Sequence, residues 1–165
     1  MSRLVDAGAK IDVLVNRRVP LLHVSADSSY RIGALRGLLE KGAHANRQDT
    51  SGKTALHRLF RTSSPSSTDA LRFLLQHGAS PEVADKAGES ALHAVAHAGT
   101  LEQFQLCLAS CYDPDAALRL RTCHNESLLH YAAAGGKSDS VRFLLSRGLD
   151  VNLASANGWT PLIWP

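Results

Sequence analysis

The sequence predicts an all-α solenoid in which short helix–turn–helix units repeat about every 35 residues. Leu and Ala dominate the apolar residues, and both favour helix over strand. Aromatic residues make up only 5% of the chain, so the core must be mainly aliphatic. The period has the length of one supersecondary unit, which is typical of repeat architectures.

Two markers define the repeat. The first is a four-residue block that occurs five times: Pro20-Leu21-Leu22-His23, Thr54-Ala55-Leu56-His57, Ser90-Ala91-Leu92-His93, Ser127-Leu128-Leu129-His130 and Thr160-Pro161-Leu162-Ile163. The first residues of successive blocks lie 34, 36, 37 and 33 positions apart. The second marker is a glycine 12 residues before a block, at Gly8, Gly42, Gly78 and Gly148. Because the two markers stay in phase, we interpret them as parts of one repeated unit.

The unit between Ser127 and Trp159 shows the expected local structure most clearly. Ser127 is a good N-cap for a first helix, whose apolar face is formed by Leu129, Ala132 and Ala133. Gly135-Gly136 ends that helix, since glycine tolerates the left-handed conformation. A second helix, with the apolar residues Val141, Leu144 and Leu145, ends at Gly148. Each unit is therefore predicted to be helix, turn, helix and an extended loop.

These motifs resemble the ankyrin repeat over essentially the whole chain. The resemblance rests on Thr54 to His57, Leu74-Leu75, Gly78-Ala79 and the turns at 49–52 and 85–88. It implies an ankyrin-repeat solenoid of helix-turn-helix units joined by β-hairpin loops. The expected divisions are a partial repeat at 1–19, repeats at 20–53, 54–89, 90–126 and 127–159, and the start of a truncated repeat at 160–165, where Pro161 takes the first helical position.

Several positions depart from the regular pattern. A Ser/Thr/Pro run at 62–68 predicts a lengthened loop within the 54–89 repeat. The divergent repeat at 90–126 contains an insertion beginning at Tyr112, and Cys111 replaces the usual glycine. Asn125 occupies a turn position that is otherwise Gly, and Asn is the next most tolerant residue of positive φ. Pro20 replaces the Ser or Thr cap of the first block, and Arg18 replaces its turn glycine.

The two ends of the chain suggest a longer array. Leu4-Val5 has the pattern of the tail of a second helix, and the chain stops at Pro165 as a new first helix begins. Natural arrays end in repeats with a polar outer face. We therefore expect this chain to be a slice of a longer array or a truncated gene model, rather than a chain that needs a partner at its ends.

Composition excludes several classes of protein. The net charge of +3 over 165 residues is too small to indicate a nucleic-acid or membrane surface. Charged residues interrupt the first twenty positions, and no stretch approaches the roughly 18 apolar residues of a membrane-spanning helix. Three cysteines are too few for a disulfide scaffold and favour a reducing compartment. We expect a cytoplasmic or nuclear protein.

The recurring histidines and the cysteines could in principle bind a metal. However, the four block histidines are about one repeat apart, and the resemblance implies that they hydrogen-bond near the helix cap and bridge adjacent repeats. Cys107 takes the place of Leu74 and Leu144, where a small buried side chain fits. Cys123 and His124 are expected at a hairpin tip, directed away from the helices. Together with Cys111, the cysteines lack the Cys-x-x-Cys spacing that is typical of structural zinc sites. We therefore expect no metal and no cofactor.

No catalytic motif is present in the sequence. The Gly135-Gly136-Lys137-Ser138 segment lacks the upstream glycine of a phosphate-binding loop, and the carboxylates of Glu102, Glu126 and Asp139 are isolated. A non-enzymatic protein is predicted, with no small-molecule substrate. Ser64-Pro65 could be a phosphorylation site, but a solvated loop is the simpler interpretation.

The resemblance implies binding of another protein in a concave groove lined by hairpin tips and first helices. The corresponding positions are Arg47, Thr50, Ser51, Lys53, Arg58, Arg61, Lys86, Ala87, Glu89, His97, His124, Glu126, Tyr131, Asn157 and Trp159. Arg47, Lys53, Arg58 and Arg61 gather cationic charge in one part of the groove, which favours an acidic segment in the partner, although they could equally form an ordinary solvated face. Trp159 suits an interface or packing beneath a further repeat. The alternative function is a structural spacer between domains outside this chain.

Overall fold

The computed structural model describes residues 14–15, 19–26, 32–61 and 67–164. The chain divides into two compact units, residues 1–80 and residues 81–165. The expectations for Leu4-Val5, Gly8, Arg18 and Ser64-Pro65 lie outside the described residues.

The described residues of the first unit form a short hairpin and four helices. Strands β1 and β2 pair antiparallel, with Leu14 opposite Pro20 and Val15 opposite Val19. The elements are β1 (Leu14–Val15), β2 (Val19–Pro20), α1 (Leu21–Ala26), α2 (Ile32–Glu40), α3 (Ala55–Leu59) and α4 (Ser67–Gln76). Helix α1 packs against α2 and α3, and α4 packs against α2 and α3. The first helices therefore lie side by side, as do the second helices, which is the arrangement of stacked repeats.

The second unit repeats this arrangement. Its helices are α5 (Ala91–Ala98), α6 (Leu101–Ala109), α7 (Pro114–Ala117), α8 (Leu128–Ala134) and α9 (Ser138–Ser146). Helix α5 packs against α6 and α8, and α9 packs against α6 and α8. The predicted all-α fold with helix–turn–helix units is confirmed.

The core consists of aliphatic residues at repeat-equivalent positions. The first helices bury the block leucines Leu22, Leu56, Leu92 and Leu129, and the second helices bury Leu38, Leu74, Cys107 and Leu144. Cys107 is fully buried, so the prediction that it replaces a core leucine is confirmed. Leu145, predicted on the apolar face of α9, is instead 40% exposed, since α9 buries Ser140 and Leu144.

Two other predictions need correction. The Ser/Thr/Pro run at 62–68 was expected to be loop throughout, but Ser67 and Thr68 form the start of α4. Hydroxyl residues are well tolerated in a first turn, where the backbone N–H groups have no helical partner. Thr160-Pro161 was expected to open another helix, but residues 161–163 form only a turn, in which the Ile163 N–H donates to the Thr160 carbonyl at 3.1 Å.

The insertion at Tyr112 contains the extra helix α7. The Asp113 side chain caps it by accepting from the N–H groups of Asp115 and Ala116 at 3.0 Å. Pro114 occupies its first turn, where a missing N–H costs nothing. Ala117, the last residue of α7, is buried, and so is Leu118, which follows it. The insertion is therefore a packed part of the second unit.

Hairpin loops connect the repeats, as predicted. Antiparallel bridges join Ala84 to Ser90 and Arg121 to Ser127. Four of these hairpins have a turn residue with positive φ among the described residues, namely Gly52, Gly88, Asn125 and Gly158. Asn125, with φ of 59°, is the only described non-glycine residue in this conformation. The expectation that Asn preserves the turn is confirmed.

We predict that Asn125→Ala lowers the free energy of unfolding by about 1–2 kcal/mol, because alanine pays the full cost of the left-handed conformation. It also removes the hydrogen bond from the Asn125 Nδ2 group to the Ala154 carbonyl, which is 2.8 Å long. Asn125→Gly removes the same hydrogen bond without the conformational cost, so we expect a smaller loss. Urea unfolding of the two variants compares them directly. Equal losses would show that the turn conformation is not what Asn125 stabilises.

Candidate functional site

The hairpin tips are held by a repeated pattern of hydrogen bonds to one side chain. In the tip at 49–53, the Asp49 Oδ1 atom accepts from the Ser51 N–H at 2.8 Å and the Lys53 N–H at 3.0 Å. Backbone bonds join the Asp49 N–H to the Lys53 carbonyl and the Gly52 N–H to the Asp49 carbonyl, each 2.9 Å long. The backbone at this tip is therefore fixed from inside the hairpin.

The other tips use the same pattern with different residues. Asp85 accepts from the Ala87 and Glu89 N–H groups. Thr122 takes this role in the next hairpin through its hydroxyl oxygen, which accepts from the N–H groups at positions 124 and 126. In the last hairpin the Ser155 hydroxyl accepts from the Trp159 N–H at 3.3 Å. The side chains at the tips are thus presented by a preformed backbone.

Successive tips of the second unit are also joined to one another. The Cys123 N–H donates to the Ala87 carbonyl at 2.9 Å, and the Ala156 N–H donates to the His124 carbonyl at 2.7 Å. A Cβ atom at Gly88 would come within 2.8 Å of the Cys123 nitrogen. Glycine at position 88 is therefore required for the close approach of neighbouring hairpins as well as for its positive φ.

Arg58, a predicted contact residue, forms an ion pair within the first unit. Its Nη2 atom lies 2.6 Å from the Asp49 Oδ2 atom, and the Asp49 side chain is only 1% exposed. Burial by itself would raise the pKa of Asp49, but the hydrogen bonds from Arg58 and the backbone lower the pKa below its usual value of 3.8. Arg58 therefore neutralises a buried carboxylate that holds the hairpin tip.

Three of the block histidines bond their helix caps, and His130 also bonds the hairpin that follows it. In the fourth block the Ser127 N–H donates to the His130 Nδ1 atom at 3.2 Å, and the Ser127 hydroxyl lies 2.9 Å from the same atom. Because a backbone N–H can only donate, Nδ1 must be the acceptor and the ring proton must be on Nε2. That proton is donated to the Trp159 carbonyl at 3.0 Å. The imidazole thus joins the cap to the following hairpin.

The second and third blocks have the same cap geometry. The Thr54 N–H donates to the His57 Nδ1 atom at 3.0 Å, and the Ser90 N–H donates to the His93 Nδ1 atom at 3.1 Å. Both rings are buried. The expectation that these histidines hydrogen-bond near the helix cap is confirmed.

His23 in the first block differs at the cap because Pro20 has neither an N–H nor a hydroxyl. The His23 Nε2 atom lies 2.8 Å from the Lys53 carbonyl, which can only accept, so Nε2 carries the proton. Nδ1 is buried and meets no hydrogen-bond partner among the described residues. Burial lowers the pKa of His23 from its usual value of 6.5, and the Lys53 hydrogen bond opposes this change only in part.

Three of the predicted contact residues meet in the second unit. The Tyr131 hydroxyl donates to the Glu89 Oε1 atom at 2.7 Å, with a Glu126 oxygen 3.5 Å away. The Thr122 hydroxyl holds the Glu126 Oε2 atom at 2.8 Å. Burial raises the pKa of Tyr131, as do the hydrogen bond to Glu89 and the nearby carboxylates. These residues form an acidic surface around a neutral tyrosine.

The remaining predicted residues lie mostly at the surface. Arg47 and Lys53 are half-buried and have interactions within the protein, and Ala87 is also half-buried. The exposed ones are Thr50, Ser51, Arg61, Lys86, His97, His124 and Asn157. Trp159 is 40% exposed, although its main chain is fixed by Ser155 and His130. The predicted surface thus combines exposed side chains with a rigid backbone.

Sequence reasoning missed two contributors to these surfaces. The Trp164 ring lies 5.0 Å from the Tyr131 ring and 5.9 Å from the His130 ring, measured between centroids. In the first unit Asn46 donates to the Gly78 carbonyl at 2.8 Å and accepts from the Ser80 N–H at 2.7 Å. The resemblance of the Thr160 block to the others could have indicated the position of Trp164, but no local pattern identifies Asn46.

The cysteines do not form a cluster with metal-binding geometry. Cys107 and Cys111 are buried, whereas Cys123 is exposed at a hairpin tip. Burial raises the pKa of Cys111 to about 12, so its thiol is protonated at neutral pH, unlike a metal ligand. Among the described residues, no three His, Cys, Asp or Glu side chains are grouped so that they could hold a metal ion.

The family model for ankyrin repeats (3 copies) matches residues 22–115 and 92–165. The chain belongs to the ankyrin-repeat family. Ankyrin repeats are generally protein–protein interaction modules, and the family is typically non-enzymatic. Among curated proteins, no sequence matches this ankyrin-repeat chain. No helix in the described part of the chain has the length and apolar character needed to cross a membrane.

We predict that Asp49→Ala lowers the free energy of unfolding by about 2–3 kcal/mol at neutral pH, because it leaves Arg58 and two hairpin N–H groups without their acceptor. The pKa of Asp49 is lower in the folded than in the unfolded protein. Its contribution is therefore present above about pH 4 and disappears as the pH falls through the folded-state value. Urea unfolding between neutral and acidic pH measures both effects.

The matched control for this prediction is Asp69→Ala, which removes an exposed carboxylate in the first turn of α4. Its effect should stay below about 0.5 kcal/mol, as for most surface substitutions. An equal loss in the two variants would contradict a special role for the Asp49 hairpin bonds.

Proposed function

We propose that this chain is a non-enzymatic scaffold that binds a partner protein through its hairpin tips and first helices. The rigid tips carry the proposal, because each backbone is held by internal hydrogen bonds while most of the tip side chains are exposed. A preformed surface loses little conformational entropy when it binds. The family's general role in protein–protein interaction supports the same function.

We propose that the first unit receives an acidic segment of this partner. Its predicted contact positions include four cations, Arg47, Lys53, Arg58 and Arg61. Arg58 forms the ion pair with Asp49, whereas Arg61 is exposed and Arg47 and Lys53 are half-buried cations of the same surface. The contact positions of the second unit include two carboxylates, Glu89 and Glu126, beside one cation, Lys86, so their charge is less favourable to acidic groups. Charge therefore favours the first unit as the place where an acidic segment binds.

The cytoplasm or the nucleus is the proposed location of this binding. All three cysteines are free, and two of them are buried as thiols. A reducing compartment suits such a chain, because thiols there are not driven into disulfides.

We predict that the chain binds a fluorescein-labelled oligoaspartate peptide and that the double variant Arg47→Glu/Arg61→Glu weakens this binding by about tenfold or more at low salt. Fluorescence anisotropy measures the affinity. Arg58→Glu is unsuitable for this test, since it would also leave the buried Asp49 carboxylate without its partner.

The matched control is Arg119→Glu/Arg142→Glu, which changes the net charge equally at two exposed positions of the second unit. Binding by this variant should remain within about twofold of the unmodified chain. Equal weakening in both double variants would show unspecific attraction and contradict the proposed surface. Absence of peptide binding would contradict the acidic-segment proposal and favour a structural spacer.

A further inference from the structure

The environment of His23 sets the first block apart from the others. At His130 the neutral ring is stabilised by the Ser127 N–H and hydroxyl at Nδ1. At His23 the same atom is buried and has no partner among the described residues, because Pro20 supplies no N–H or hydroxyl at the cap. The bond from Nε2 to the Lys53 carbonyl is the one described hydrogen bond of the His23 ring. The neutral ring of His23 therefore makes fewer hydrogen bonds than the neutral ring of His130.

A second proton on His23 would have to be carried by Nδ1. A buried N–H group without an acceptor, on a charged ring, is costly. Helix α1 would relieve this cost by moving until Nδ1 reaches water. Such a movement breaks the bond to Lys53, the residue that ends the Asp49–Lys53 hairpin.

We propose that His23 makes the attachment of α1 to the Asp49–Lys53 hairpin sensitive to acid, so that protonation of this ring loosens the hairpin that presents the acidic-segment surface. The loosening concerns the fold of the first unit alone. Its effect on binding rests on the proposed function.

The charged groups around His23 allow the direction of the effect to be worked out. Asp49 favours the protonated ring, whereas Arg58 and His57 of α3 disfavour it. Helix α2, which packs against α1, carries the ionisable residues Arg36 and Glu40, and both are exposed. Strand β2 carries no ionisable side chain. Because burial dominates and lowers the pKa of His23, its contribution to stability is complete above about pH 6.5 and is lost as the pH falls through the folded-state value.

Hydrogen exchange of backbone amides tests the loosening without any partner. The chosen amides are those of Gly52 and Lys53, which are bonded within the hairpin. Between about pH 7.5 and pH 5.5, we expect their protection factors to fall at least about threefold more in the unmodified chain than in His23→Gln, whose side chain does not titrate. The Glu126 amide of the second unit should change equally in both proteins. An equal fall at Lys53 in both proteins would overturn the proposal.

The variant Pro20→Thr gives a second test, which remains possible even if His23→Gln does not fold. Threonine restores the N–H and the hydroxyl that the caps of the other blocks place at Nδ1. Protection at Lys53 at neutral pH should increase by roughly threefold to tenfold, which corresponds to one or two added hydrogen bonds. Unchanged or reduced protection would contradict the premise of the proposal, which is that the Nδ1 atom of His23 lacks a hydrogen bond from the cap.

Binding of the oligoaspartate peptide at the two pH values tests the functional consequence. Affinity should fall more with acid in the unmodified chain than in His23→Gln, by at least about threefold. If the peptide fails to bind at neutral pH, the proposed acidic-segment function fails while the exchange result stands on its own. If the peptide binds with the same pH dependence in both proteins, regulation by His23 is wrong.

Discussion

The buried imidazole of His130, which accepts a hydrogen bond at one nitrogen and donates at the other, joins a helix cap to the hairpin that follows it. At His130 these bonds connect the Ser127 cap of α8 to the Trp159 carbonyl, and at His23 one of them reaches the Lys53 carbonyl. The ring can do both only in its neutral Nε2–H form. The Ser155–Trp159 hairpin is therefore tied to helix α8 through this ring.

The hairpins carry structural and functional residues side by side. Asp49 and Thr122 point inward and bond the backbone, while neighbouring positions such as Thr50 and His124 face solvent. This division lets surface side chains vary without loss of the turn, as is common in loops fixed by a scaffold. Arg58 is an exception to this division, because it is a predicted contact residue whose charge pairs with the buried Asp49 carboxylate.

Local patterns in the sequence were sufficient for the repeats, the turn residues and the burial of Cys107, since each depends on a few neighbouring positions. Longer contacts were not predictable in this way. The Arg58–Asp49 ion pair joins a first helix to the preceding hairpin. The ring of Trp164 contacts the ring of Tyr131, which belongs to the preceding repeat. The sequence shows that Pro20 is an unusual cap, but its effect on His23 depends on the burial of the Nδ1 atom, which only the structure shows. Helix α7 depends on the packing of Ala117 as well as on its Asp113 cap.

The most direct test of this account is the protonation state of His130, measured at neutral pH by long-range ¹H–¹⁵N correlation spectroscopy. The account predicts a neutral ring with its proton on Nε2, since Nδ1 accepts from the Ser127 N–H and Nε2 donates to the Trp159 carbonyl. A proton on Nδ1, or a charged ring, would contradict the link between helix cap and hairpin.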